Sequence, residues 1–337
     1  MRSVRVVEGV AHFVAEDVPR PPMRQEAVRV RIEAAFLPTY FAGLPGGNWL
    51  TPPRPFTPGQ CAIGIVEEIG EVAAHLRRGQ RVYCDTYIDS AGAIADHGFI
   101  GCFGLAPAAA RHLGTWPNGT FAEEFVGPAQ CFTPVPESIT SGPELLCRLG
   151  WFATALAGFR RGGFRPGMVV AINGASGLLG TSAAVVAMAI GAAEVRLVGR
   201  RTSILSEVAR LDKRLVVEAS NDPTPLDFVL DCAGGDDTSA TVALVERLRR
   251  FGCLALVGAL TKRASLDTAR LMRNSNSVVG SFWFPHAMAA DVLELIDAGV
   301  IDLTPFRAEC FDLDHIEDAM RRSLEHSGGL DHVALKP

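Results

Sequence analysis

The chain predicts an α/β fold in two parts, a β-rich domain interrupted by a doubly wound nucleotide-binding domain. Three observations carry that reading. Residues 168–201 run as strand, glycine-rich turn, small-residue helix and second strand, the start of a dinucleotide-binding βαβ unit. Before about residue 140, short apolar or alternating runs are broken by Pro and Gly, and from about Gly142 strand and helix patterns alternate. After Gly280 the pattern is mixed again, so the β-rich domain is read as residues 1–140 and 281–337, with 141–280 inserted.

In the first segment Ala27–Ala34, Ile63–Ile69 and Arg81–Cys84 read as strands. Leu37–Gly59 carries Pro at 38, 45, 52, 53, 55 and 58 and must be loop, because proline cannot donate to a hydrogen-bonded ladder. Asp85–Asn118 is irregular and rich in Gly and Ala, a lobe or lid, and residues 119–126 resume a strand pattern.

Val169–Ile172 is a short apolar run suited to a buried parallel strand. Ala175, Gly177 and Gly180 fill an A-x-G-x-x-G turn, and a helix from about Leu178 to Ile190 points its positive end at the turn. Ala183, Ala184, Ala187 and Ala189 let that helix lie close to the sheet. The second strand, Glu194–Val198, ends in Gly199, Arg200 and Arg201, with no carboxylate to accept from a ribose 2′-hydroxyl. A guanidinium pairs with a 2′-phosphate, so NADP(H) is the expected cofactor; the alternative is that both arginines are solvated and open the next helix.

Further strands are expected at Asp227–Asp231 and Cys253–Val257, with only residues 220–226 before the former, so that a helix there is shortened. Helices follow at Ala287–Ala298 and Asp314–Glu325, the latter with Asp314 as N-cap, and His332–Leu335 closes as a strand.

The 337 residues, 48% hydrophobic and 20% charged, suffice for two domains with a large core. A net charge of −5 offers no general attraction to nucleic acid or to an anionic membrane. The charged N-terminus and the absence of a long apolar run point to a cytoplasmic protein with no membrane segment. Eight cysteines are scattered without a C-x-x-C pair and are expected as free, mostly buried thiols.

In order and spacing, Pro58–Gly70, the Gly79–Val82 turn, Gly119–Glu123, Gly174–Gly180, Asp227–Gly235 and Gly252–Gly258 carry a family signature. Through them the chain resembles the medium-chain dehydrogenase/reductase superfamily, which includes zinc alcohol dehydrogenases and zinc-free quinone oxidoreductases. The resemblance covers nearly the whole chain and implies a GroES-like substrate domain, a Rossmann domain, hydride transfer and a homodimer. Zinc members use a Gly-His-Glu motif where this chain has Gly59, Gln60 and Cys61, and an earlier Cys where Leu37 stands. Gly150 falls nearest the third ligand position, although Cys147 lies close by. Catalytic zinc needs three protein ligands, so no metal is expected. A different site built from His97, Cys102 and His112 is a weaker alternative.

The resemblance places the pyrophosphate over Gly174, Ala175, Ser176, Gly177, Leu178, Leu179 and Gly180, and the adenosine phosphate at Gly199, Arg200 and Arg201. The nicotinamide falls against Gly258, Ala259 and Ser281, with Cys232 and Ala233 alongside. Tyr40 is the first catalytic candidate, the alternative being a hydrophobic cap formed with Phe41. Trp49, Phe282 and Trp283 are read as substrate walls or, equally, as interface core. His286 is a second, weaker proton-donor candidate. The expected activity is zinc-independent, NADPH-dependent reduction of an activated C=C or C=O bond in a small apolar or aromatic substrate. An NADP-dependent alcohol dehydrogenase and a non-catalytic NADPH-binding protein are the rivals.

Overall fold

The computed structural model describes residues 1–47, 49–71, 73, 75–89, 97–219 and 222–337. They form two compact units: Met1–Gly150 with Phe306–Ser327 and Asp331–Pro337, and Trp151–Pro305 with Gly328–Leu330. Ser281–Pro305 therefore belongs with the second unit, beyond residue 280 where the sequence reading ended that domain.

The first unit is a GroES-like domain built on a seven-stranded sheet. Its order is Phe132–Pro134, Arg81–Asp85, Cys61–Ile69, Ala27–Phe36, Asp331–Leu335, Arg307–Phe311, and Glu124–Pro128 also pairs with Ala27–Phe36. The central strand is buried over most of its length and bends at register shifts after Arg29 and Ile32. Gly64 lies opposite, where a Cβ would come 2.3 Å from the Arg31 carbonyl oxygen. No side chain fits there.

The strand expected over 119–126 begins only at Glu124. Residues 119–121 give their N–H groups to another segment, Gly119 to Thr57 C=O at 2.7 Å and Phe121 to Pro58 C=O at 2.9 Å. The proline-rich segment holds one 3-10 turn, Thr39–Gly43, consistent with its composition. Within 85–118 lie two-residue strands at Tyr87–Ile88, Gly98–Phe99 and Phe103–Gly104 and a helix at Ala110–Thr115; residues 90–96 of this lobe lie outside the described set.

Near the C-terminus the helix spans Ile316–His326 and follows a 3-10 turn, Leu313–His315. The expected cap, Asp314, is corrected: the helix has His315 as N-cap and no side-chain cap, and Asp312, extended in backbone, caps the preceding 3-10 turn by accepting from the His315 N–H at 3.1 Å. Asp314 instead accepts from Arg2 Nε at 2.7 Å.

The second unit is a Rossmann domain. Its six strands are β1 (Val169–Asn173), β2 (Glu194–Val198), β3 (Leu215–Val217), β4 (Leu226–Asp231), β5 (Leu248–Leu256) and β6 (Ser277–Gly280). All pair in parallel in the order β3-β2-β1-β4-β5-β6. Between β1 and β2 runs helix α1 (Leu178–Ala189), whose Ala183, Ala184 and Ala187 are buried as their size predicts. Of residues 220–226, the first two lie outside the described set, and β3 to β4 shows no helix over 222–225. No described helix is long and apolar enough to cross a membrane.

His332, on the last strand of the first unit, is 2% exposed, and its Nε2 meets the Glu144 carbonyl at 2.8 Å. Burial first, and the Arg148 charge second, push its pKa down to about 3 from 6.5. The imidazole stays neutral in the fold, and the unfolded chain takes up a proton first as pH falls. Stability is thus present above pH 6.5 and declines toward pH 3, by about 1.4 kcal/mol per pH unit at most. Chemical denaturation across that range is expected to show one proton taken up on unfolding, and His332→Gln to remove it.

Candidate active site

At the carboxyl end of β1 the chain turns sharply. Gly174 takes φ +81°, and a Cβ there would lie 3.0 Å from the Ala233 nitrogen on the loop after β4. Ala175 N–H donates to Val198 C=O at 2.8 Å, fixing the turn to the end of β2. A Cβ on Gly180 would come 2.2 Å from the Gly174 carbonyl oxygen, so the first turn of α1 rests directly on the loop. Gly177 is the N-cap, with no side chain closing the helix end. A Cβ there would meet only Gly174 O, at 3.3 Å. The outer side of the turn is therefore bare backbone at a helix N-terminus, which suits a pyrophosphate.

Beneath it sits a buried polar network. Asp231, at the end of β4, accepts from Asn173 Nδ2 at 3.3 Å, from Thr241 Oγ1 at 2.5 Å and from Ala233 N–H at 2.9 Å. Its backbone carbonyl receives Val257 and Gly258 N–H at 2.9 and 2.7 Å. One residue thereby sets the loops after β1, β4 and β5, and brings Cys232, Ala233 and Gly258 together. Ala259 is exposed, and Ser281 is buried with its N–H on Leu256 C=O at 2.9 Å.

The two arginines after β2 separate. Arg201 donates to the Ser176 carbonyl, which also accepts Gly329 N–H at 3.1 Å. Its guanidinium lies so close to Gly328 that a Cβ there would overlap it, at 2.1 Å. Burial, then the neighbouring Arg200 charge, lowers its pKa. Arg200 is exposed. Gly199 approaches Ser176, whose Oγ would be 2.9 Å from a Cβ. Ser176 is thus flanked by both residues 199 and 201.

Of the aromatic candidates in this unit, Trp283 is interior: it is 7% exposed, stacks on Phe284 at 4.9 Å and meets Trp151 edge-on at 6.0 Å. Phe282 is 53% exposed. Position alone separates the two neighbours, since the strand-to-helix bend turns them to opposite sides.

In the first unit Tyr40 hydroxyl donates to Gln60 Oε1. Gln60 is buried, and its Nε2 has no partner among the described residues. Trp49 stacks on Tyr40 at 6.0 Å, and Phe103 stands edge-on to Trp49 at 4.5 Å. All three rings are half-buried. Gln60 and Phe103 were not singled out as site residues from sequence; Gln60 drew notice only as a poor ligand, and Phe103 comes from an irregular lobe without periodicity. Burial pushes the Cys61, Cys102 and Cys147 thiols well up, so they stay protonated. Tyr83 donates to Cys61 Sγ at 3.2 Å, and Cys147 donates to Glu144 C=O at 3.1 Å. Among the described residues no group of three or more His, Cys, Asp and Glu is placed to hold a metal, His97, Cys102 and His112 included.

Residues 24–137 match the alcohol dehydrogenase GroES-like domain family. An alcohol dehydrogenase of Geobacillus stearothermophilus is 24% identical over 336 residues, covering 96% of each chain. A protein of Rhizobium meliloti (strain 1021) described as a D-xylulose reductase is 26% identical over 284 residues, 81% of this chain and 80% of that one. A structure from Sinorhizobium meliloti 1021, described as a zinc-binding dehydrogenase bound to NADP, superposes with a TM-score of 0.81 at 21% identity over 100% of this chain and 99% of that one.

Asp231→Ala would leave the Thr241 hydroxyl and the Ala233 N–H without this acceptor, while Asn173 Nδ2 keeps Thr241 Oγ1 at 3.3 Å. A loss of about 3–5 kcal/mol is expected by urea unfolding, against a smaller one for Thr241→Val, which removes a single donor.

Proposed function

We infer that this chain, which belongs to the medium-chain dehydrogenase/reductase superfamily, is an NADPH-dependent oxidoreductase acting without catalytic zinc on an activated C=O or C=C bond. The observation that carries the reading is the end of β2, where a glycine-rich turn with a bare helix N-terminus stands beside an exposed Arg200 and no carboxylate. A 2′-phosphate meets a cation there.

The zinc-independent part of the reading rests on donor chemistry. Leu37 has no ligand atom, Gln60 is a neutral amide already bonded to Tyr40, and Gly150 has no side chain. No step is therefore routed through a metal.

When bound, the reduced nicotinamide supplies a hydride. The chain's own residues hold the pyrophosphate at 174–180, seat the adenosine phosphate at Arg200 and Gly199, and fix the nicotinamide loop through Asp231, with Cys232, Ala233, Gly258, Ala259 and Ser281 along it. Tyr40 and Trp49, joined by Phe103, supply the aromatic face for a flat, apolar substrate, and Phe282 is a further exposed ring. Trp283 is packing within its own unit, against Trp151 and Phe284. Oxidation of an alcohol with NADP⁺ is the second reading, favoured by the alcohol dehydrogenases among the relatives.

Fluorescence titration of metal-stripped protein should give tighter binding of NADPH than of NADH. Arg200→Ala is expected to weaken NADPH at least tenfold, about 1.4 kcal/mol, and NADH less than twofold. Arg201→Ala is expected to weaken both alike, because that side chain holds the Ser176 carbonyl of the turn. Equal loss of both nucleotides in Arg200→Ala would refute the phosphate assignment.

A homodimer is proposed through β6, an edge strand whose Val278 is 42% exposed. Analytical ultracentrifugation should return twice the chain mass, and Val278→Lys should shift it toward one.

A further inference from the structure

Gln60 is 1% exposed and stands immediately before the strand Cys61–Ile69. Its Oε1 accepts the Tyr40 hydroxyl. The Tyr40 hydroxyl donates to Oε1, which leaves the Nε2 hydrogens on the other side of the amide. Among the described residues Nε2 has no acceptor. A buried donor left so costs about 1–3 kcal/mol, which an acceptor on a bound molecule would recover.

The surroundings describe that acceptor. Tyr40, Trp49 and Phe103 form a half-buried aromatic wall beside the amide. Burial, and then Cys102 and Cys61, push the Tyr40 phenol well above its ordinary range, and the Cys61 and Cys102 thiols are raised likewise. Tyr40 therefore keeps its proton on Gln60. The amide is a neutral donor in a poorly solvated place, where a hydrogen bond to developing negative charge is worth most.

We propose that Gln60 is a catalytic residue whose Nε2–H donates to the carbonyl oxygen of an aldehyde, ketone or enone, and that Tyr40 is a positioning residue that orients the amide. This rests on the reductase reading above. In the step, hydride from NADPH forms a C–H bond at the acceptor carbon while the C=O π pair moves to oxygen. In an enone the hydride adds at the β-carbon and the π electrons shift through the chain to the same oxygen. NADPH is oxidised to NADP⁺, the substrate is reduced, and water supplies the proton to the resulting anion, on oxygen or, for an enone, finally on carbon. Gln60 stabilises that oxyanion and gives up no proton.

The probe is p-dimethylaminocinnamaldehyde, whose absorption moves to the red when its carbonyl oxygen accepts hydrogen bonds. It is added to the full chain with NADP⁺, which offers no hydride. Wild type is expected to shift the band, Gln60→Met to lose the shift, and Tyr40→Phe to keep only part of it. In turnover with NADPH, Gln60→Met is expected to lose about 100-fold in kcat with KM changed less than threefold. Gln60→Glu gives a signature that packing does not: its carboxyl donates only while protonated, so the band shift should fade as pH rises through its pKa while wild type stays flat. That variant also decides the matter if Gln60→Met does not fold.

An unshifted band in wild type, an equal shift in Gln60→Met, or a pH-independent shift in Gln60→Glu would overturn the assignment. A wild-type shift without NADPH oxidation on any carbonyl or enone would instead sink the reductase reading and leave the amide contact standing.

Discussion

The Rossmann unit depends on one buried carboxylate. Asp231 has no cation beside it among its hydrogen-bond partners; its charge is met by an amide, a hydroxyl and a backbone N–H, and its own carbonyl takes two more N–H groups. Such an acid is stable only where every lone pair is used. That demand draws the ends of β1, β4 and β5 to one point. The glycines follow from the same closeness: Gly174, Gly180 and Gly258 stand where a Cβ would enter a neighbouring backbone. They are requirements of loop packing first, and the bare face left at Gly177 is the result.

The second consequence concerns the arginine pair. Neighbours in sequence are commonly read as one basic patch, yet Arg200 and Arg201 leave the backbone into different surroundings. Both are exposed residues, but Arg201 is a strut that donates to the Ser176 carbonyl beside the Gly328–Gly329 turn. Charge type alone does not separate a strut from a ligand group; the partner does.

In the GroES-like unit the position occupied by a histidine in zinc relatives is held by an amide, and the chemistry around it has changed to match. Protonated thiols, a protonated phenol and three aromatic rings make a weakly solvated setting, in which the buried Asp85 helps to keep Cys61 and Tyr40 protonated. Gln60 and its surroundings form one consistent design.

Several features were legible in the amino-acid sequence. The β1–turn–α1–β2 unit appears at 169–198 as its apolar runs and small residues require, since a buried parallel strand and a close-packed helix each restrict residue type over many positions. The loop character of 37–59 followed from its prolines. Side-chain partnership was not legible. That Asp312 caps the 3-10 turn before the last helix while Asp314 pairs with Arg2, that the strand near 124 starts late, that Trp283 turns inward while Phe282 does not, and that the Tyr40 hydroxyl donates to Gln60 all depend on which distant atoms arrive within hydrogen-bond or van der Waals reach. Periodicity and propensity fix what a segment is; only the packed chain fixes which partner a polar atom meets, because its energy lies in a contact between residues far apart in sequence.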